Sequence, residues 1–356
     1  MKKKVLAVVL AATMALSMVA CGSSSSSSDS SASSDSEATE TSSDAADFKV
    51  GIVLDTGGVN DGSFNQSSWE GLEKAEEDLG ISASYLESDT DSDYAANIEN
   101  FIDDDCDLII CVGYMLADAL REAAEANPDQ KFAIIDDATI ELDNVACLMF
   151  EQEQASYLVG YVAGLMTQTN NVGFVLGMSN ETMNQFGYGY YAGAIDANPD
   201  VTVQGMNANS FADAATGKSD ANSMITNGAD VIFHAAGGTG LGVIEACQEA
   251  GIYAIGVDSD QASIAPETVI TSAMKRVDSA VYDTVEKALN GEFVSGITTY
   301  DLSSEGVDIA PTQDLLTDDV IAAVDDVKAK IISGEIVVPK TQADFEAAYG
   351  DVYDLD

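Results

Sequence analysis

Between Asp55 and Asn65 the chain reads DTGGVNDGSFN, a run that sets carboxylate, amide, hydroxyl and aromatic side chains close together. Asp55, Asn60, Ser63 and Asn65 are suited to hydrogen-bonding a neutral polar ligand, and an ionised carboxylate does so only by accepting. Phe64 stands among these polar residues, where a core aromatic is unexpected, and Phe211 stands similarly in ANSFADAATGK. Rings from two sides of one site could stack on a planar base, a contact worth about 1–3 kcal/mol per base that tolerates different bases. If each ring instead plugs its own part of the core, the loops hold something else. Asp136 ends KFAIID, and Asp258 lies in GVDSDQ beside Gly256, a glycine that lets the backbone approach a ligand. Either Asp could accept from a ligand N–H or sugar hydroxyl, and for each the competing role is a helix N-cap. Lys275 is one of few cations outside the N-terminus; it could donate to a sugar oxygen, hold Asp258, or sit at the surface of a helix start, with Arg276 as an equal candidate. Gly237 opens GGTGLG, which lacks the G-x-G-x-x-G spacing of a dinucleotide loop and reads instead as a Gly-rich turn whose backbone N–H groups approach a ligand.

Such residues need a frame. Short β-branched runs at Lys49–Leu54, Leu108–Val112, Phe132–Ile135, Val172–Leu176, Val231–Phe233 and Tyr253–Val257 alternate with amphipathic stretches of helical length. That alternation predicts βαβ units and mostly parallel sheets. Cys106–Asp137 and Ala229–Asp260 share one order of Asp, apolar strand, Gly loop, helix, short strand and Asp, and FKVGIVLDTGG matches NNVGFVLGMSN. An internal repeat of this kind predicts two doubly wound lobes, with ligand loops at the carboxyl ends of the strands and a cleft between facing rims.

Composition narrows the function. The formal net charge is -47 over 356 residues, which disfavours nucleic acid and strongly anionic ligands. No nucleophile-elbow, Walker A or His-rich metal pattern occurs, and the single histidine, His234, ends an apolar strand as a core or rim residue. Asp89–Asp93 and Asp103–Asp105 lack the EF-hand ligand order. No metal, no cofactor and no enzymatic activity is expected. A hydrolase using two carboxylates stays open from pattern alone, and recovery of unchanged ligand after long incubation distinguishes it. Cys106, Cys111, Cys147 and Cys247 form no C-x-x-C pair and mostly sit by apolar runs, which predicts free buried thiols.

At the N-terminus, three lysines, an apolar stretch to Ala20 and small residues before Cys21 predict a signal peptide over 1–20 with a site resembling a bacterial lipobox. Acylation of Cys21 would anchor the chain at the extracytoplasmic face of the membrane. Residues 21–47, rich in Ser, Asp, Glu, Ala and Thr, read as a tether that cannot bury enough apolar surface to order itself.

The stretch VGIVLDTGGVNDGSFNQSSWEGL from Val50 to Leu72, together with FEQEQASYLVGYVAG, SNETMNQFGYGYYAGA, ADVIFHAAGGTGLGVI, IGVDSDQ and TSAMKRVDSAVYD, resembles the basic membrane protein family. Its members are substrate-binding lipoproteins of ABC importers, among them purine nucleoside receptors. The likeness covers nearly the whole chain after the tether, in order. It implies an α/β type I periplasmic-binding-protein fold with two doubly wound parallel-sheet lobes, a hinge and a central ligand cleft. The expected lobes are 48–150 plus about 274–297, and 151–273 plus about 298–356. The resemblance also implies that Phe64 and Phe211 sandwich a purine, that Asp136 or its neighbour Asp137 reads the base, and that Asp258 takes the ribose. The expected protein is a monomer that binds a purine nucleoside and partners an ABC permease; a receptor for another small neutral ligand, such as a sugar or signalling furanose, is the alternative.

Overall fold

The structure is a computed structural model that describes Ala45 and residues 47–355. The expected signal peptide, Cys21 and nearly all of the tether lie outside the described residues.

Two sheets carry the fold. The first contains β1 (Lys49–Val53), β2 (Ser82–Leu86), β3 (Leu108–Val112), β4 (Lys131–Ile135) and β5 (Val145–Phe150). The second contains β6 (Asn171–Leu176), β7 (Thr202–Asn207), β8 (Val231–Ala235), β9 (Tyr253–Asp258) and β10 (Val269–Lys275), while β11 (Gly296–Tyr300) joins the first and β12 (Val307–Ile309) the second. Their orders, β11-β5-β4-β3-β1-β2 and β12-β10-β9-β8-β6-β7, are the same strand order used twice, differing in the direction of the edge strand. The repeat in the sequence is therefore β3–β4 matched to β8–β9. Every pairing is parallel except β10 with β12.

Strands β3 (LIICV) and β8 (VIFHA) are buried throughout, as strands covered by helices on both faces must be. The covering helices are α1 (Phe64–Leu79), α2 (Tyr94–Asp103), α3 (Ala117–Ala126), α4 (Gln152–Met166), α5 (Glu181–Ala197), α6 (Ala214–Thr226), α7 (Gly237–Ala250), α8 (Val277–Leu289), α9 (Asp318–Ile332) and α10 (Gln342–Tyr349). Helix α4 packs on β10, β12 and α5 of the second lobe, and α8 packs on α1 of the first. The chain thus passes between lobes after Phe150, Lys275 and Tyr300. The second and third passages follow from β10 running to Lys275 and from all five residues of β11 pairing with β5. Cys106, Cys111, Cys147 and Cys247 are free and buried.

Candidate functional site

The opening loop is organised by two aspartates with different duties. Asp61 accepts from the backbone N–H groups of Ser63 (2.9 Å), Asn65 (2.9 Å) and Gln66 (3.1 Å), and so caps α1 from three residues before its start. Asp55 faces the site without capping the helix. Its Oδ1 accepts from Gly57 N at 2.8 Å and from Asn65 Nδ2 at 2.7 Å, while Asn65 Oδ1 accepts from Asp55 N at 3.2 Å. Asn65 Nδ2 also reaches Asp61 at 3.1 Å, which locks the loop into one piece. Phe64, read as a loop residue, is the first residue of α1.

A cavity opens where the carboxyl ends of the two sheets face each other. It has about 520 Å³ of space free of protein atoms, part of it open to solvent. Asp55, Phe64, Asn65 and Asp136 line it from the first lobe, and Phe211, Gly237, Asp258 and Lys275 from the second. Asn60 is exposed and does not line it. Ser63 is buried behind it and donates its Oγ–H across the cleft to Asp258 Oδ2. Asp137, the other candidate for the base, does not line the cavity and accepts from Thr139 instead.

Each phenylalanine is seated by a glycine. A Cβ on Gly177 would lie 2.3 Å from Phe211 Cε1, so only glycine leaves room for that ring, and Phe64 packs on Gly113. The Thr239 N–H donates to Phe211 O at 3.1 Å and fixes the backbone there. The GGTGLG run is not a turn: it forms the first residues of α7. Only Gly237, with φ +52°, faces the cavity; Gly240 packs on His234 and Gly242 on the backbone of α6.

Lys275 is 2 % exposed and pairs with Asp136 Oδ2 of the opposite lobe, not with Asp258. Its ammonium also lies 5.0, 5.1 and 5.5 Å from the ring centres of Phe64, Phe150 and Phe186, an aromatic cage that suits a cation. Arg276 points elsewhere, to Asp278 at 2.8 Å. Asp136 Oδ1 is buried with no hydrogen-bond partner among the described residues, which leaves an acceptor for a ligand donor. Asp136 (φ +66°) and Asp258 (φ +64°) end the equivalent strands β4 and β9 in the left-handed region, a strain that a site residue sustains and a plain cap does not require.

Burial raises the Asp55 carboxyl to about 6, although Asn65 and Gly57 partly offset it. Burial likewise raises Asp258 to about 6 against the opposing influence of Lys275 and Ser63, and raises Asp61. Four carboxylates and one cation therefore face one cavity. Such a wall favours a neutral ligand rich in N–H and O–H donors and repels a phosphate.

Asp61, Tyr114, Met183 and Phe186 line the cavity without having been singled out. Tyr114 follows a strand end and carried that signal. Met183 and Phe186 lie on α5, where an apolar helical stretch reads as core.

Comparison with known proteins agrees with this geometry. A family model, Bmp, described as ABC transporter substrate-binding protein PnrA-like, matches residues 48–342. The CD4+ T-cell-stimulating antigen of Listeria monocytogenes serovar 1/2a is 40% identical, over 96% of this chain and 99% of its own length. The ABC transporter nucleoside-binding protein BmpA of Lactococcus lactis subsp. cremoris is 36% identical, over 82% of this chain and 89% of its own. A crystal structure of an ABC transporter solute-binding protein from Aeropyrum pernix K1 superposes with a TM-score of 0.78 at 28% identity, covering 86% of this chain and 97% of that one. Twin parallel sheets, a cleft walled by both and a match that runs from β1 into α10 make this chain a member of the Bmp family of ABC transporter substrate-binding proteins.

Proposed function

We propose that the cavity takes a purine nucleoside and that the protein delivers it to the permease of an ABC importer, held at the membrane by a lipid on Cys21. The observation that carries the ligand is the meeting of Phe64 from one lobe and Phe211 from the other on a single cavity with carboxylate acceptors. The two rings stack on the base, Asp136 Oδ1 accepts from a base N–H, and Asp258 accepts from ribose hydroxyls. Asp55 supplies a further acceptor. The name of the Lactococcus relative supports the same ligand class. Titration calorimetry tests it: adenosine, guanosine or inosine binds at least about tenfold more tightly than its monophosphate, about 1.4 kcal/mol, and free ribose more weakly again. A monophosphate that binds more tightly than its nucleoside refutes the reading.

A further inference from the structure

Gln261 is 1 % exposed and begins a short turn after β9. Its side-chain oxygen accepts from the backbone N–H of Val257 at 3.0 Å and faces His234 Nε2 at 3.1 Å. A backbone N–H only donates, so the atom facing Val257 is the oxygen, and the orientation of the amide follows. That oxygen accepts from His234 only if Nε2 carries the proton, which leaves Nδ1 bare. Nδ1 indeed has no hydrogen-bond partner among the described residues and lies against Gly240, where a Cβ would sit 1.9 Å away. Gly256 makes room on the other side: a Cβ there would lie 2.5 Å from Gln261 Oε1.

The amide nitrogen is thereby aimed out of the second lobe. It donates to the carbonyl oxygen of Gly62 in the first lobe at 2.8 Å, and the Ser259 hydroxyl donates to the same oxygen at 3.3 Å. Gly62, at φ +66°, directly precedes Ser63 and Phe64, the residues that reach Asp258 and the cavity.

We propose that Gln261 is the latch of the closed cleft, a positioning residue whose amide is preset by Val257 and His234 and which grips Gly62 on closure, so that it governs how long a ligand stays. His234 is then neither a base nor a mere core filler; it orients the latch. The inference rests on the reading that the lobes close around a purine nucleoside.

The test compares Gln261→Glu, Gln261→Met, His234→Leu and His234→Gln with the parent, using the full chain. Glu keeps an oxygen for Val257 and His234 but sets a second oxygen against the Gly62 carbonyl. Stopped-flow binding of adenosine and guanosine should show dissociation about fivefold to tenfold faster in both Gln261 variants, the size of one lost hydrogen bond. Association should change much less than dissociation, because most changes at one interface act on the off-rate. His234→Leu should follow in part, and His234→Gln, which restores a donor, should return toward the parent. Unchanged dissociation in the Gln261 variants overturns the latch. If the parent binds neither nucleoside, the ligand reading fails while the latch is decided separately by hydrogen exchange without ligand: peptides covering 61–66 and 257–262 exchange faster in Gln261→Glu if the latch exists, and identically to the parent if it does not.

Discussion

Replacing Lys275 by Met removes the cation at the centre of the site while keeping an unbranched apolar stem. Asp136, 5 % exposed, would lose the partner of Oδ2 while Oδ1 already has none, and the neighbouring carboxylates of Asp55, Asp61 and Asp258 add repulsion. Removing one member of a buried ion pair costs about 3–5 kcal/mol, because the other is left charged and desolvated. The three surrounding rings lose a cation, a contact worth about 2 kcal/mol when desolvated, and gain a thioether, a contact worth about 0.3–1.5 kcal/mol, so these changes roughly offset and the net cost stays within about 3–5 kcal/mol. Adding Asp136→Asn to Lys275→Met removes the stranded charge and should recover a large part of the loss. Urea unfolding of the parent, both single variants and the double variant forms a cycle whose coupling energy reads the pair directly. A Lys275→Met protein within about 0.5 kcal/mol of the parent, the scale of an ordinary surface substitution, or a double variant no more stable than Lys275→Met, would refute the argument.

Further outcomes follow from the same site. Phe64→Ala and Phe211→Ala should each weaken nucleoside binding by roughly 1–3 kcal/mol, with non-additive effects in the double variant; normal binding with a melting loss of the size of a truncated core Phe, about 3–5 kcal/mol, would make both rings core residues. Because Asp55 and Asp258 are both raised to about 6, nucleoside affinity should fall as pH drops through about 6, where these acceptors gain protons, and calorimetry from pH 7.5 to about 5 that shows constant affinity contradicts their role. The same two groups favour the unliganded fold at low pH, since a raised carboxyl contributes stability below its unfolded value that is lost as pH rises through about 6; His234, lowered by burial to about 4, works the other way, its contribution being present above about 6.5 and lost toward about 4. Cys21→Ser should move the protein from membrane to soluble fractions with ligand affinity unchanged, and equal membrane retention would remove the lipid anchor.

The central strands were legible because β-branched runs such as LIICV and KFAII are buried almost throughout and carry little else. The edge strands β2 and β7 were not: SASYL and TVQGMN are mostly exposed or half-buried, and their pairing comes from the neighbouring strand rather than from their own pattern. Within the site, Asp55 was marked by its place at the end of a strand, whereas Asp61, which lines the same cavity, owes its second duty as the α1 cap to the position of that helix N-terminus. The burial of Lys275 was likewise hidden. Lysine is almost never buried unless paired, and the partner that makes it possible lies 139 residues earlier in the chain.

The duplicated frame bears on the proposed selectivity of the cleft. Asp136 and Asp258 end equivalent strands with nearly the same left-handed backbone, yet each takes its partner from the opposite lobe: Asp136 from Lys275, and Asp258 from Ser63. The proposed closure thus supplies one donor to each buried carboxylate. One oxygen of Asp136 still lacks a partner among the described residues. A ligand without N–H or O–H groups would leave such an acceptor buried and unsatisfied, at a cost of about 1–3 kcal/mol, more for a charged group. A ligand that brings donors removes that cost only when the lobes have met. On the proposed reading, selectivity for a neutral, donor-rich, planar molecule is built into closure itself, and the two rings act on a cleft whose carboxylates disfavour anions.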